Sequence, residues 1–405
     1  MTEPPRPPHG PVVHDWAVGP LPGTDFDPVP YRLLHEEPVA RIRLPHGEGH
    51  AWLVTRYEDV KLVSADARLS RALTVGRPIT STTPHTLAPA GGVGRADPPD
   101  HTRLRRLIAP TFGRRRITEL REHTRQAAEA RARVLLDTGP PADLADDFVG
   151  PLSATVVAEL LGVPAADLGR VDTWRAGLLA HDTTAAAGES VKRQIAGYFA
   201  DLARHRADHP ADDLVSELAA ARATGALSTP ELVSMAVMLT LNGLDAVRNI
   251  VATMAYLLLT HPGQTARLRA RPAGLPRAVD ELLRFIPQRN GVGMPRIATA
   301  DIEVGGVTIP EGDAVYVFYP AANRDPAVFT DPDRLDLDRD EGPHLAFGHG
   351  AHYCAGAQLA RLEAEIMLGT LLQHFPGLAL ARPADTIAWR TGSVNRGPEH
   401  LPVTW

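Results

Sequence analysis

The stretch Phe347-Gly348-His349-Gly350-Ala351-His352-Tyr353-Cys354-Ala355-Gly356 places the only cysteine of the chain among closely spaced glycines. Glycines at 348, 350 and 356 permit a tight backbone path close against another object, because a residue without Cβ enters conformations closed to the others. The residues that follow carry Leu359, Leu362 and Ile366 on one helical face, so the spacing predicts a helix that begins at Cys354. Unpaired N–H groups and the macrodipole at a helix start favour thiolate over thiol. A lone cysteine is ordinarily a small buried hydrophobe. A sulfur anion held by a glycine-rich turn beneath an aromatic ring is instead what a thiolate-ligated haem iron requires. One cysteine also excludes an internal disulfide and a Cys-rich zinc site.

Four further groups have chemistry-bearing spacing. Glu281 and Arg284 lie three apart, on one helix face, and alone would suit a surface ion pair. His101 and Arg105, after Asp97-Pro98-Pro99-Asp100, share a helix face that alone would suit a solvated basic surface. Arg296 follows Pro295 at the start of a predicted strand. Asp245 lies in the apolar segment Leu241-Asn242-Gly243-Leu244-Asp245-Ala246-Val247, where a charge is costly unless partnered. An ion pair with a nearby arginine is one solution; work in a proton path is another.

Taken together these motifs resemble the cytochrome P450 superfamily, whose cysteine-loop pattern Phe-Gly-x-Gly-x-His/Arg-x-Cys-x-Gly is matched at every fixed position. The resemblance covers nearly the whole chain. It implies a mainly α, triangular fold with a minor β region and with haem b between a long central helix and the cysteine helix. It assigns Cys354 as the metal ligand, with Phe347, Gly348 and Gly356 shaping the haem side, and His101, Arg105, Arg296 and His352 to the haem propionates. Glu281 and Arg284 become a buried structural pair, joined by Arg334 from Asp331-Pro332-Asp333-Arg334. Asn242, Asp245 and Ala246 fall where the family has Ala/Gly-Gly-x-Asp/Glu-Thr. Ala246 departs from that pattern, so the usual hydroxyl beside the reacting oxygen is missing and the family's proton delivery needs another route.

The same resemblance places substrate contacts at Leu73 and Leu87, at the ends of a Pro- and Thr-rich loop, and at Leu241, Asn290, Val292, Met294 and Val394. It implies an O2-activating oxidase or monooxygenase that acts on a small molecule of specialised metabolism, by hydroxylation or by oxidative C–C or C–N coupling. Electrons would come from external NAD(P)H through a ferredoxin reductase and a soluble ferredoxin that docks on Arg103, Arg106 and Arg114 to Arg116. A peroxide-driven peroxygenase and a non-catalytic haem sensor or carrier are the alternatives. Retention of Asp245 in place of a basic residue counts against the peroxygenase.

These residues need elements to hold them. Val39–Leu44 and Ala51–Val54 read as strands, and the pattern is mostly helical from about 57 to 290. Thr229-Pro230-Glu231 starts a helix of some thirty residues, with Thr229 as its cap, ending at His261-Pro262. It is apolar on most faces and therefore central. Asp301–Ile309 reads as a hairpin turning at Gly305-Gly306, followed by a strand at Ala314–Tyr319 and an irregular stretch over 321–346. Residues 1–25 form an extended Pro-rich lead-in and 26–405 a single catalytic domain.

The chain of 405 residues is 44% hydrophobic, enough for a large core. Its net charge of −6 argues against nucleic acid as a partner. The N-terminal MTEPPRPPHG has prolines where a signal peptide needs an apolar run, and Asn242, Asp245, Arg248 and Asn249 interrupt the longest apolar segment, which disfavours a membrane span. The expectation is a cytoplasmic monomer.

Overall fold

The computed structural model describes residues 12–19, 21–84, 91–180 and 182–405, without the side chain of Leu241. Its spine is the helix Thr229–Thr260, 32 residues long, about 48 Å at the usual rise. Ser228, not Thr229, caps it: the Glu231 N–H donates to the Ser228 hydroxyl while the Glu231 carboxylate accepts from the Ser228 N–H at 2.8 Å. This reciprocal box takes up N–H groups that a helix start otherwise leaves open. Leu232, Met235 and Ala236 pack with Val156, Leu160, Trp174 and Phe199 in one core. Val251, Met254 and Leu258 pack with Leu282, Met367 and Phe375 in a second. One helix thus serves two cores, which explains its nearly continuous apolarity; each such side chain contributes roughly 1.5–3 kcal/mol on burial.

By length and composition alone this helix could cross a membrane. Its polar residues are instead used inside the fold. Arg248 donates to Asp146 at 2.5 Å and to the Glu399 carbonyl at 3.0 Å, and Asn249 donates to the Asp245 carbonyl at 2.9 Å. At Gly243 an added Cβ would stand 2.8 Å from Val157 Cγ2, so glycine lets the helix Gly150–Leu161 approach closely.

The helix Ala357–His374 packs against Arg114–Thr138 and Leu275–Phe285. Beside these helices lies a six-stranded sheet in the order Val13–Asp15, Val39–Arg43, Ala51–Val54, Ala314–Val317, Arg296–Ala298, Leu69–Ser70. Val39–Arg43 and Ala51–Val54 pair antiparallel with Val39 opposite Val54; Ala51–Val54 and Ala314–Val317 run parallel with Trp52 opposite Val315. The strand expected to reach Tyr319 stops at Val317, and Tyr319–Ala322 turns into a short helix with Pro320 in its first turn. The hairpin Ile302–Val304/Val307–Ile309 closes on Gly305 and Gly306, with φ of 55° and 79°.

Part of the lead-in is tied into the fold. Val13–Asp15 is an edge strand, and Trp16 is buried with its indole N–H on Asp27 at 2.8 Å. Arg396 donates to the carbonyls of Leu21, Pro22 and Asp25, fastening residues near both chain ends together.

Candidate active site around Cys354

The cysteine loop is shaped by what its glycines touch. Gly350 has φ of 73°, and a Cβ there would lie 2.6 Å from the Ser64 carbonyl oxygen, so no larger residue fits. Gly348, with φ of 79°, faces the Tyr319 ring. The Cys354 N–H donates to the Phe347 carbonyl at 2.9 Å, closing the loop. A short turn at Gly350–His352 precedes the cysteine, and the helix begins only at Ala357, with Gly356 at its cap. Cys354 therefore stands just ahead of the helix and not in its first turn.

The sulfur is surrounded by protein atoms yet has exposed surface, as a thiol facing a cavity does. Burial raises its pKa; the Gly356 N–H and the charges of Arg105 and Arg361 oppose this without overcoming it. The helix end alone does not make a thiolate here, and a cation on the sulfur would. Among the described residues the only trio of His, Cys, Asp or Glu side chains close enough to share an ion is Asp143, Asp146 and His400, which excludes Cys354. A metal on this sulfur must bring most of its other ligands with it, as the iron of a porphyrin does.

Near the cysteine the charge is positive. His101 and His352 stack edge to face at 4.3 Å between ring centroids, and His352 is pushed down to about 2 by burial and then by Arg71, His101, Arg296 and Arg105. Arg296 is 1% exposed and acts on Tyr319, yet among the described residues neither of its terminal nitrogens has a hydrogen-bond partner. Burial and the neighbouring Arg296 push Arg71 down to about 9; among the described residues its Nε also has no hydrogen-bond partner, while Nη1 donates to the Gly94 carbonyl at 3.1 Å. Arg105 donates to the Tyr353 carbonyl at 2.8 Å. Buried, unpaired guanidiniums are costly unless an anion completes them. A planar group with a metal centre and carboxylates at its edge fits both halves of the site. Arg71 carries no motif signal, and sequence reasoning missed it.

Glu281 and Arg284 sit in a cluster whose third member is not Arg334. Arg284 donates to Glu281 at 2.6 and 2.9 Å, and both residues are buried. Arg339 completes the cluster, its Nε 3.2 Å from Glu281. Arg334 does not take that role: its side chain is 67% exposed and pairs with Asp336 at 3.3 Å. It contributes its carbonyl, which accepts from Arg339 at 3.1 Å.

Asp245 is 1% exposed and fully engaged, by Arg175, by Asn395 Nδ2 at 2.7 Å and by Arg390 at 3.8 Å. Asn242 faces the cavity while its amide donates to the Met238 carbonyl at 2.8 Å. Ala246, half-buried on the same helix, offers no polar side-chain atom.

One cavity of about 590 Å³ joins Cys354, His352 and Arg296 to Asn242, Val292, Met294 and Val394. Two expected contacts fall elsewhere. Leu73 is 44% exposed and does not line the cavity. Asn290 is buried beside it, where its amide donates to the Arg390 and Ser393 carbonyls at 3.1 and 2.8 Å, so it pins the loop. Leu87 and the Leu241 side chain lie outside the described residues. Leu178, Leu179, Met238, Arg289 and Asn395 line the wall without having been singled out.

The family model described as Cytochrome P450 matches residues 275–382. The chain is 46% identical over 395 residues to biflaviolin synthase CYP158A1 of Streptomyces coelicolor, a match spanning 98% of this chain and 97% of that protein. It is 44% identical over 384 residues to nocardicin C N-oxygenase of Nocardia uniformis subsp. tsuyamanensis, spanning 94% and 96%. The crystal structure of cytochrome P450mel 107F1 with biaryl coupling reactivity has a TM-score of 0.94 at 41% identity, covering 97% of this chain and 100% of that one. The architecture is the mainly α cytochrome P450 fold with its minor β region, and the chemistry is that of a haem-thiolate oxidoreductase. The chain belongs to the cytochrome P450 superfamily and is of the monooxygenase class.

Proposed function

We propose that this enzyme binds haem b through the Cys354 thiolate and oxidises a specialised metabolite with O2. The carrying observation is that one cavity holds both a sulfur facing into it and the buried Arg296, whose terminal nitrogens have no hydrogen-bond partner among the described residues. His101, Arg105, Arg296, His352 and, in addition, Arg71 hold the propionates. Bound haem supplies O2 activation, favoured by electron donation from the thiolate. Phe347, Gly348 and Gly356 keep the sulfur in place, and Glu281, Arg284 and Arg339 lock the chain segments around it. We assign catalysis to a single unit spanning 26–405, acting as a cytoplasmic monomer. Its electrons come from NAD(P)H through a ferredoxin reductase and ferredoxin.

The residues near the reacting oxygen limit how protons arrive. Asp245 is held by Arg175 and Asn395, so its carboxylate does not swing to carry a proton. Ala246 has neither donor nor acceptor. Asn242 remains to orient water, and a hydroxyl or amide of the substrate completes the path. Oxidative coupling is a second outcome beside hydroxylation, favoured by similarity to a biflaviolin synthase and to a P450 with biaryl coupling reactivity.

The test measures product per reducing equivalent with a reconstituted ferredoxin system. A difference-spectrum screen of candidate metabolites first finds the substrate. Wild type is expected to be well coupled with it, and Ala246→Thr to add little. Wild type that loses most electrons as peroxide, with threonine repairing the loss, would refute substrate-assisted proton delivery.

A further inference from the structure

The cavity holds more positive charge than haem binding uses. Arg71, Arg77, Arg95, Arg289 and Arg296 line it, and among the described residues no Asp or Glu does. Arg71 and Arg296 act on each other and on His352, which groups both with the residues proposed above to hold the propionates. Arg77 is exposed, and Arg95 donates to Thr74 at 3.4 Å. Arg289 stands apart from all of these. Burial lowers its pKa, and among the described residues no charged group acts on it. Among the described residues its Nε has no hydrogen-bond partner, and it keeps accessible surface although protein atoms surround it, as a side chain facing a cavity does.

Its surroundings are apolar and held in place. Leu178, Leu179, Val292, Met294 and Val394 line the same cavity. The backbone at Arg289 bridges to Asn395, and the neighbouring Asn290 is pinned by two carbonyls. A guanidinium stays protonated at any working pH. Enclosed without a counter-charge it is destabilising, and an anion delivered from solution relieves the cost.

Resting on the cytochrome P450 reading above, we propose that the substrate is an apolar molecule with one anionic oxygen group, a carboxylate or an acidic phenol, which Arg289 binds at the apolar end of the cavity. The apolar wall holds the body of the molecule, and Arg289 fixes which end enters. A neutral analogue of the same shape leaves the guanidinium unpaired, so it binds more weakly.

The experiment uses the haem-loaded enzyme and follows the shift of the haem absorption band on titration. The probes are 4-phenylbutanoate against its methyl ester, and pentafluorophenol against pentafluoroanisole. At least one acid is expected to bind roughly tenfold or more tightly than its neutral counterpart, at the lower end of what a buried charge pair sustains. Arg289→Met should abolish that preference while leaving the affinity of the neutral probe within about twofold, and Arg289→Lys should restore part of it. The acid that shows the preference distinguishes carboxylate from phenol. Equal binding of acid and neutral probe in wild type, failure of both acids to bind, or a preference that survives Arg289→Met overturns the proposal. The reduced, carbon-monoxide-bound spectrum of each protein is read in parallel. A normal thiolate spectrum with no acid preference removes the substrate class alone, whereas an absent thiolate spectrum removes the haem reading beneath it.

Discussion

Replacing Arg339 by alanine should destabilise the protein far more than replacing Arg334, although both lie in the same irregular stretch. The Arg339 side chain is 6% exposed in its pair with Glu281. It also donates to Glu341 and the Thr330 carbonyl, both at 2.6 Å, and to the Asp331 and Arg334 carbonyls at 3.3 and 3.1 Å. Breaking a buried pair costs about 3–5 kcal/mol when it strands the partner. Glu281 would keep Arg284 and the Asp336 N–H at 2.9 Å, so it is not fully stranded. The expected loss is therefore about 2–3 kcal/mol. With roughly 2.1 cal/mol/K per residue, a 405-residue chain has an unfolding entropy near 0.85 kcal/mol/K, so Tm falls by only about 3 °C. The urea midpoint, followed by tryptophan fluorescence on the holoprotein, is the better measure. Arg334→Ala removes an exposed pair and should stay within about 0.5 kcal/mol of wild type. Equal losses from the two substitutions, or a larger one from Arg334→Ala, would show that the cluster is not held as described.

Cys354→Ser should abolish the thiolate signature of the reduced, carbon-monoxide-bound haem, because a serine hydroxyl is not a comparable donor; an unchanged spectrum would remove Cys354 as the ligand. Glu363 is wholly buried and burial raises its pKa well above 4.5, so the folded state prefers it protonated. Its contribution to stability is full below the unfolded pKa and is lost as pH rises towards the folded one. Glu363→Gln should thus match wild type near pH 4 and become the more stable protein as pH rises from 5 to 8, read by urea melts; a gap that does not change with pH would contradict this. With ferredoxin as the proposed donor, electron delivery should slow as salt rises. Arg103, Arg115 and Arg116 already have carboxylate partners, which leaves Arg106 and Arg114 exposed for docking. Charge reversal at both should flatten the salt dependence of stopped-flow reduction, and an unaltered slope would point to another face.

The cysteine loop was legible because its chemistry and its sterics lie in one continuous stretch of chain. The glycine that only a close backbone tolerates, Gly350 against Ser64, is four residues from the sulfur. The central helix was legible for a similar reason, since apolarity on most faces can be read without knowing the neighbours. Its cap was misplaced by one residue because Ser228 and Thr229 are both competent, and only the Glu231 geometry chooses between them. Arg334 and Arg339 could not be told apart by spacing. The chain turns at Asp331, with φ of 44°, and the Arg334 N–H closes back on the Asp331 carbonyl at 2.9 Å. That turn sends one arginine outward and leaves the other to reach Glu281.

The cavity wall was harder still, because several separate segments build it and no period runs through them. Asn290 and Arg289 are adjacent in sequence, yet one amide is used up by the carbonyls of Arg390 and Ser393 while the neighbouring guanidinium has an Nε without a partner among the described residues. Residue type does not decide this; the Arg390–Ser393 segment does, by offering acceptors to one position and none to the next. Motif reasoning therefore reaches the residues proposed here to hold haem, which recur along fixed elements. What selects a substrate depends on which polar atoms the folded chain leaves without a partner, and those appear only when donors and acceptors are matched in three dimensions.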